Sequence, residues 1–311
     1  MVLLRGGCHG FNYLWYKFRY FFLLYEGHYK KFRNNTTKAM TINIKGELID
    51  LSQPKIMGIL NLTPDSFFDG GKFNTIDRAL EQTEKMIADG ADFIDLGACS
   101  TRPGAPEISE KEEQKRLFPV LEKLLEDFPE VYYSIDTYRA AVAEGALSRG
   151  AVMINDISGG QFDPQMMQTV GRFNAPYVLM HIAGKPREMQ NNPQYENVVQ
   201  AVLKYFSGRI QLAYEAGIND VVIDPGFGFG KTMDHNYELL WHLDLFQSLE
   251  LPLLVGISRK SMIYKKLGIT AEEAGNGTTV LNSLAITKGA NILRVHEVKE
   301  AKECVLLLDA L

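Results

Sequence analysis

Residues 221–231 place a carboxylate and a glycine-rich turn directly after a short apolar run. The sequence there is Val-Val-Ile-Asp-Pro-Gly-Phe-Gly-Phe-Gly-Lys. Three β-branched apolar residues in a row are typical of a strand buried on both faces. Asp224 then ends the strand, Pro225 prevents further pairing, and the glycines let the backbone turn sharply and approach a ligand closely. In an α/β protein this arrangement predicts a ligand site, with a solvated turn as the alternative.

The end of the same segment, Gly230-Lys231-Thr232, matches the end of a phosphate-binding P-loop. The first glycine of that motif would fall at position 225, which is proline. A P-loop holds phosphate with the backbone N–H groups around this turn, and proline has none. The segment therefore does not favour a nucleoside-triphosphatase.

Most of the apolar runs are followed by polar residues. The candidate site residues near these run ends fall into three groups by type. Asp136, Asn155 and Asp224 carry short acceptor or mixed groups, which suit the N–H edge of a flat heterocycle. Four side chains are cationic or can become so, which suits an anion such as a phosphate chain: Arg102, Lys260, Arg294 and His296. Three more can flank an aromatic ring: Phe67, Pro103 and Phe229.

Asn61 offers a neutral amide oxygen that could contact Mg²⁺ carried in on phosphate oxygens, because this ion keeps most of its waters and needs few protein ligands. The spacing of His, Asp and Glu predicts no tight transition-metal site, and no Ser-His-Asp or Cys-His arrangement is apparent. Cys99 is interpreted as a small buried residue. His181 is either a ligand-binding residue or a hydrogen-bonded core histidine.

Short apolar runs alternate with helical patterns along most of the chain, and together they would position these side chains. The runs cover residues 56–60, 93–96, 131–135, 152–154, 177–180, 221–223, 253–257 and 292–295. Helical patterns between them include residues 76–89, 110–127, 138–148, 196–216 and 237–248, and Asp234 is a predicted helix cap. Eight strands alternating with helices predict a single-domain (β/α)₈ barrel over residues 41–311, with an open doubly wound sheet as the alternative. In a barrel the polar strand ends would meet on one side.

Composition places the chain among ordinary globular proteins: 46% of its 311 residues are hydrophobic, 23% are charged, and the net charge is −5. The first 40 residues hold seven Lys or Arg and one acid, so the remainder is strongly acidic. This argues against a body that binds nucleic acid. The three widely spaced cysteines suggest neither a disulfide framework nor a zinc site, which fits a reducing cytoplasm.

Residues 1–40 are basic and rich in aromatic side chains, and we expect them not to be part of the fold. Lys17 and Arg19 interrupt the apolar stretch, so no segment of about 18–20 apolar residues could span a membrane. A secretory signal would need a clean apolar core and a small-residue cleavage site. An organellar presequence and an interfacial anchor stay open, but we favour translated upstream sequence, with Met40 as the natural start.

Seven motifs in order resemble the motif set of the dihydropteroate synthase family. They are Asn61-Leu-Thr-Pro-Asp-Ser-Phe67, Ser100-Thr-Arg-Pro-Gly104, Asp136-Thr137, Asn155-Asp156, residues 224–231, Ser258-Arg-Lys-Ser261 and Arg294-Val-His296. The similarity covers about residues 55–311. It implies a TIM barrel, a homodimer, and an enzyme that joins 6-hydroxymethyl-7,8-dihydropterin pyrophosphate to p-aminobenzoate with Mg²⁺ present and releases pyrophosphate.

The resemblance also implies a role for each matched residue. Pterin would be bound by Asp136, Asn155, Met180, Asp224 and Lys260. Pyrophosphate would be bound by Asn61, Thr101, Arg102, Arg294 and His296, with Asn61 also contacting the metal. p-Aminobenzoate would be bound by Phe67, Pro103, Phe229 and Ser261. The expected catalytic residues are Thr101, Arg102, Lys260, Arg294 and His296.

One segment departs from the family pattern, since Gly97-Ala98-Cys99 stands where Gly-Gly-Glu is often found. Two other functions stay open at this point. A pterin-binding methyltransferase would need no pyrophosphate site, and the cationic motifs at 258–260 and 294–296 argue against it. A catalytically silent pterin-binding protein is disfavoured by the presence of Asn61, Arg102 and Lys260.

Overall fold

Eight parallel strands form one sheet in the computed structural model, which describes residues 40–62, 72–100, 108–184, 189 and 193–310. By residue range, their order in the sheet is 221–224, 177–180, 153–156, 132–136, 93–97, 55–61, 292–295 and 254–255. A single bridge between Ile223 and Leu253 joins the two outer strands and closes the sheet, and the Ile223 N–H donates to the carbonyl oxygen of Pro252 beside it at 2.9 Å. The predicted (β/α)₈ barrel is therefore confirmed, and the open-sheet alternative is excluded.

The barrel strands lie close to the predicted apolar runs. They are β3 (Lys55–Asn61), β4 (Phe93–Gly97), β5 (Tyr132–Asp136), β6 (Met153–Asp156), β7 (Tyr177–Met180), β8 (Val221–Asp224), β9 (Leu254–Val255) and β10 (Ile292–Val295). The run predicted at 253–257 shrinks to the two residues of β9. A short antiparallel hairpin, β1 (Thr41–Ile44) and β2 (Glu47–Asp50), precedes the barrel and was not predicted.

Helices follow most of these strands and surround the barrel. They are α1 (Lys72–Ala88), α2 (Glu110–Asp127), α3 (Ala140–Arg149), α4 (Met166–Phe173), α5 (Val198–Glu215), α6 (Met233–Trp241), α7 (Ser261–Leu267), α8 (Gly275–Thr287) and α9 (Val298–Asp309), with 3₁₀ turns at Leu243–Leu249 and Glu272–Ala274. Within the described part of the chain, none of these helices is long and apolar enough to cross a membrane.

The helix predicted at 237–248 differs from the observed structure. It begins earlier, as α6, and a 3₁₀ turn follows it after His242. Thr232 caps α6, not Asp234: the Thr232 hydroxyl accepts from the His235 N–H at 3.2 Å, and His235 Nδ1 accepts from the Thr232 N–H at 3.2 Å. This reciprocal pair satisfies two of the donors that a helix start leaves unpaired.

Two apolar layers hold the barrel together. Residues that face outward from the strands, such as Ile94 and Leu96, pack against the helices. Residues that face inward near the strand starts, such as Met57 and Phe93, form a second cluster with Ile42 of the β1–β2 hairpin. The hairpin therefore covers the bottom of the barrel. The inward positions further along the strands carry polar side chains and form what we call the barrel mouth.

The contact between α4 and the end of α5 is a sensitive point of this packing. A Cβ atom added at Gly171 would lie 2.0 Å from the carbonyl oxygen of Ala216. Gly208, in the middle of α5, has no atom within 4 Å of its added Cβ. We expect Gly171→Ala to lower the free energy of unfolding by about 1–3 kcal/mol through this overlap.

The matched change Gly208→Ala is expected to raise the free energy of unfolding by about 0.5–1 kcal/mol, because alanine loses less backbone freedom in a helix. Urea denaturation of both variants measures the difference. Equal effects of the two substitutions would contradict the close approach of α4 to α5.

Candidate active site

Arg294 lies at the centre of the barrel mouth and bonds two carboxylates. Its Nε donates to Asp95 Oδ2 at 2.6 Å, and its Nη2 donates to Asp136 Oδ2 at 2.8 Å. Arg294 comes from β10, Asp95 from β4 and Asp136 from β5. The guanidinium therefore ties three strands together, and ion pairs of this kind are strong when they are desolvated and well aligned.

Asp95 is a site residue that the sequence analysis missed. It lies inside the run Phe-Ile-Asp-Leu-Gly, not at a strand end, and its side chain is 0% exposed. A carboxylate in the middle of a fully buried strand needs a partner, because an isolated buried charge is very costly. That signal was present in the sequence and could have identified the residue.

Asp136 and Asn155 lie side by side in register on β5 and β6. Asn155 Nδ2 donates to Asp95 Oδ2 at 2.9 Å, so its amide oxygen remains an acceptor. Burial raises the pKa of Asp136 and the nearby Asp95 raises it further, while Arg294 opposes both effects. Among the described residues, Asp136 Oδ1 has no hydrogen-bond partner. Both side chains can thus serve the N–H groups of a ligand.

Asp224 and Lys260 form the opposite side of the mouth. Asp224 Oδ1 accepts from the Gly226 N–H at 2.7 Å; burial raises the pKa of this carboxyl, and Lys260 opposes the rise. Lys260 Nζ donates to the carbonyl oxygen of Phe227 and lies 4.8 Å from the centre of the Phe229 ring. Burial lowers the pKa of Lys260 to about 8, with Asp224 opposing.

Lys231 holds the glycine-rich loop from inside the protein. Its Nζ lies 2.9 Å from His181 Nδ1, and it donates to the carbonyl oxygens of Gly226 and Phe229 at 2.9 and 3.0 Å. Burial lowers the pKa of Lys231 to about 7, and burial together with Lys231 lowers the pKa of His181 to about 2. His181 is therefore a neutral structural histidine, and Lys231 does not act as a P-loop lysine.

Gly226 shows why this loop needs glycine. Its φ is +71°, and a Cβ added there would lie 2.0 Å from the carbonyl oxygen of His181. The loop thus packs its backbone directly on the end of β7.

His296 follows β10 and is oriented by Ser258. Ser258 Oγ lies 2.8 Å from His296 Nδ1, and the Ser258 hydroxyl donates to Glu297 Oε2 at 3.2 Å. Arg259 in turn donates from Nε to Glu297 Oε1. Ser258 therefore contacts the Nδ1 side of the imidazole, and Glu297 supplies a negative charge behind it.

The remaining predicted residues within the described part of the chain lie around this centre. Asn61 ends β3 next to Gly97, where an added Cβ would lie 3.5 Å from Asn61 Oδ1 and 3.6 Å from Asp136 Oδ2. Met180 belongs to an apolar cluster against which Phe229 packs. Ser261 is half-buried and begins α7 directly after Lys260.

Four predicted residues, Phe67, Thr101, Arg102 and Pro103, lie outside the described residues.

Just after residues 101–107, Arg139 Nη2 donates to the carbonyl oxygen of Ile108 at 2.7 Å, and Arg139 is also paired with the buried Glu113. Just before them, burial and Glu113 raise the pKa of Cys99, which disfavours a reactive thiolate.

Lys260 should leave a signature in the pH dependence of stability. The pKa of Lys260 in the folded protein is about 8, whereas the pKa of a lysine in an unfolded chain is about 10.4. Between these values the unfolded chain binds more protons, so this group makes the free energy of unfolding rise with pH. We expect Lys260→Met to reduce that rise by about 1 kcal/mol or more, since each pKa unit is worth about 1.4 kcal/mol.

Urea denaturation at pH 7.5 and pH 9.5 (about 2 pH units apart) measures this effect. Lys265→Met, at an exposed position of α7, is the matched control and should keep the slope of the unmodified protein. An unchanged slope in Lys260→Met would contradict the burial of this ammonium group.

Comparison with known proteins places this barrel mouth in a family. The family model "Pterin binding enzyme" matches residues 57–296. A dihydropteroate synthase from Haemophilus influenzae is 43% identical over 273 residues, covering 87% of this chain and 98% of the relative. The Yersinia pestis dihydropteroate synthase with a sulfonamide drug complex aligns with a TM-score of 0.82 at 43% identity, over 87% of this chain and 98% of that one. The Xanthomonas albilineans dihydropteroate synthase with 4-aminobenzoic acid gives a TM-score of 0.82 at 36% identity, over 88% and 98%. The chain therefore belongs to the pterin-binding enzyme family, among its dihydropteroate synthases.

Proposed function

We propose that this chain joins 6-hydroxymethyl-7,8-dihydropterin pyrophosphate to p-aminobenzoate, giving 7,8-dihydropteroate and pyrophosphate in folate biosynthesis. The observation that carries the proposal is the barrel mouth itself. The buried acceptor groups of Asp136, Asn155 and Asp224 lie around the half-buried cationic side chains of Arg294 and Lys260. A ligand with both an N–H-rich ring and an anionic tail suits this arrangement.

The pterin is assigned to Asp136, Asn155, Met180, Asp224 and Lys260. The carboxylates and the amide oxygen accept from the ring N–H and amino groups, and the Lys260 ammonium donates to a ring acceptor. Met180 lies 3% exposed against an apolar cluster that includes Ile157 and Ile182, and its side chain supplies a flat apolar contact for the ring.

Pyrophosphate is assigned to Asn61, Arg294 and His296, together with Thr101 and Arg102, which follow β4 in the sequence. Arg294 and His296 are two residues apart on β10 and its extension, so both side chains face the barrel mouth. Arginine offers a planar fork of donors that matches phosphate oxygens.

Mg²⁺ fits this site as a companion of the pyrophosphate. Within the described residues, no group of three or more His, Cys, Asp or Glu side chains could hold a metal ion. The donor set instead offers the Asn61 amide oxygen, whose Oδ1 lies near the Asp136 carboxylate across Gly97. One protein oxygen is enough for an ion that keeps most of its waters and binds phosphate oxygens. When bound, the ion would neutralise charge on the leaving pyrophosphate.

p-Aminobenzoate is assigned to Phe229 and Ser261, with Phe67 and Pro103, which follow β3 and β4 in the sequence. Phe229 is half-buried beside Lys260 Nζ. An aryl ring placed against Phe229 would therefore lie next to the residue that contacts the pterin. This neighbourhood brings the amine close to the exocyclic carbon of the pterin, as a condensation requires.

The charges of the site favour departure of the leaving group over activation of the nucleophile. A neutral aryl amine is already nucleophilic, so no strong base is needed. Arg294, His296 and Arg102 stabilise the negative charge that develops on pyrophosphate. The carboxylates of Asp136 and Asp224 stabilise positive charge on the pterin ring, which makes a dissociative, SN1-like step favourable. Thr101, Arg102, Lys260, Arg294 and His296 are the proposed catalytic residues.

The cellular setting is part of the same proposal. Cys99 and Cys304 are both free thiols, which supports a reducing cytoplasm. Exposed apolar side chains on the neighbouring helices α8 and α9, namely Val280, Leu306 and Leu307, support a homodimer. We also propose that residues 1–39 are not needed and that a chain starting at Met40 keeps this activity, since every assigned residue lies beyond position 60.

A direct assay tests the activity. The protein is mixed with Mg²⁺, pterin pyrophosphate and p-aminobenzoate, and both dihydropteroate and pyrophosphate are measured. We expect the two products in equal amounts, with none when either substrate is omitted. Binding of a phosphate-free pterin without any condensation would instead indicate a silent pterin-binding protein.

Replacement of Arg294 tests its assignment to the anion. A hydrogen bond to a charged group contributes about 1.5–3 kcal/mol, so Arg294→Ala should raise the Kd of pterin pyrophosphate by about 10- to 150-fold. The Kd of a pterin without phosphates should change much less. Titration calorimetry measures both, with Arg149→Ala on the surface of α3 as the matched arginine control. Equal losses for the two ligands would show that Arg294 does not face the anion.

A further inference from the structure

We propose that Asp95 is a positioning residue that fixes Arg294 and Asn155 at the same time and so couples the pterin subsite to the anion subsite. This inference rests on the proposed function, because the roles of the two partners come from it. Neither the motifs of the sequence nor the family resemblance assigned any role to Asp95.

The geometry of Asp95 is that of a shared anchor. A single oxygen, Oδ2, accepts from Arg294 Nε at 2.6 Å and from Asn155 Nδ2 at 2.9 Å. The strand order β10-β3-β4-β5-β6 places each partner two strands away from Asp95, on opposite sides. No other carboxylate among the described residues bonds both a residue assigned to pterin and one assigned to pyrophosphate.

The energetic cost of this anchor points to function. Asp95 is 0% exposed, and its Oδ1 has no hydrogen-bond partner among the described residues. A buried carboxylate with one unsatisfied oxygen is less favourable than an apolar side chain of the same size in a well-packed core. Since the interior of β4 otherwise follows an apolar pattern, the charge is best explained by what it does to its two partners.

For Asn155 the consequence is a fixed amide orientation. Because Nδ2 donates to Asp95, the amide oxygen is the atom left to accept from a ligand. Without the carboxylate, the amide could rotate and present its NH₂ group instead. Asp95 therefore selects an acceptor at this position of the pterin subsite.

For Arg294 the consequence is that its guanidinium can rotate about the Nε contact with Asp95, which we call the pivot. The guanidinium bonds Asp95 through Nε and Asp136 through Nη2. A pterin N–H group that bonds Asp136 competes with Nη2, which can then turn toward pyrophosphate while Nε stays on Asp95. The rigid planar guanidinium makes this a rotation about one fixed contact. Pterin binding should thus strengthen binding of the anion.

The coupling can be measured directly with two separate ligands. Titration calorimetry gives the Kd of Mg²⁺–pyrophosphate with and without a saturating phosphate-free pterin. We expect the pterin to tighten pyrophosphate binding by about 5-fold or more in the unmodified protein, a common size for coupling between two sites. In Asp95→Asn, which keeps the shape but loses the charge, we expect the ratio of the two Kd values to fall to about 1.

A matched control separates positioning from a general effect on the core. Ser134 lies beside Asp95 in register on β5, is 0% exposed, and also has an unpartnered side-chain oxygen. Ser134→Ala should retain the coupling and the activity. A lowered ratio in both variants, or an unchanged ratio in Asp95→Asn, would overturn the proposal.

A double-mutant cycle shows whether Asp95 acts through Arg294. If it does, the Kd of Mg²⁺–pyrophosphate for Asp95→Asn combined with Arg294→Lys should lie within about 3-fold of that for Arg294→Lys alone, because the second change removes an interaction already lost. The Kd is measured without pterin, so that the orientation of Asn155 does not contribute. Multiplicative losses would mean that Asp95 acts independently of Arg294 and would contradict the pivot.

The unmodified protein provides a test that does not depend on variants. The ¹⁵N resonance of the Arg294 Nε–H group, assigned by its loss in Arg294→Lys, should remain protected from solvent exchange when phosphate-free pterin and Mg²⁺–pyrophosphate are added. Loss of that protection would overturn the pivot. The calorimetric and NMR measurements need no turnover. An unmodified protein that shows the coupling but has no synthase activity would therefore contradict the proposed function and not the coupling.

Discussion

The half-buried guanidinium of Arg294, shared between Asp95 and Asp136, is the interaction on which the barrel mouth depends. Burial raises the pKa of Asp136, and the Arg294 guanidinium opposes that rise. The arginine holds the two carboxyl groups close together, and they in turn hold it in place. A substrate with an N–H-rich ring and a phosphate tail could compete for both members of this network. The site is therefore preorganised by the same ions that recognise the ligand, and the cost of desolvating them is met during folding.

Around this network the fold supplies two different kinds of support. The strands fix the positions of the polar side chains through their register, so that Asn61, Gly97, Asp136 and Asn155 lie in one row across four neighbouring strands. The absence of a side chain at Gly97 brings Asn61 and Asp136 close together. The loops are fixed by buried polar contacts instead. Lys231 holds the glycine-rich loop, and Ser258 with Glu297 holds His296.

Much of the barrel could be predicted from the sequence, and so could the meeting of several polar side chains at one end of it, for a physical reason. Asp136, Asn155 and Asp224 stand where an apolar run changes to polar residues, and in parallel strands such positions meet at one end. Asp95 stands inside a run, so the same rule passes over it. The β1–β2 hairpin contributes Ile42 and Ile44 to the bottom of the barrel, but a hairpin that spans only Thr41–Asp50 is too short for its periodicity to reveal this contact. The earlier start of α6 follows from the local cap at Thr232, a short-range contact that the longer amphipathic pattern does not reveal.

The glycine-rich loop shows why the end of a P-loop motif is not enough to assign an anion site. Pro225 already argued against a P-loop, and Lys231 is buried beneath the loop and bonds backbone carbonyls. The cation that reaches the barrel mouth on this side is Lys260, from the turn after β9, where Arg259 has a φ of +54°. Lys231 fixes the path of the loop, that path places the Phe227 carbonyl against Lys260, and Lys260 is thereby held beside Asp224. Both lysines have lowered pKa values, but their roles differ. Lys231 fixes the shape of the loop, and the loop positions Lys260 for the ligand.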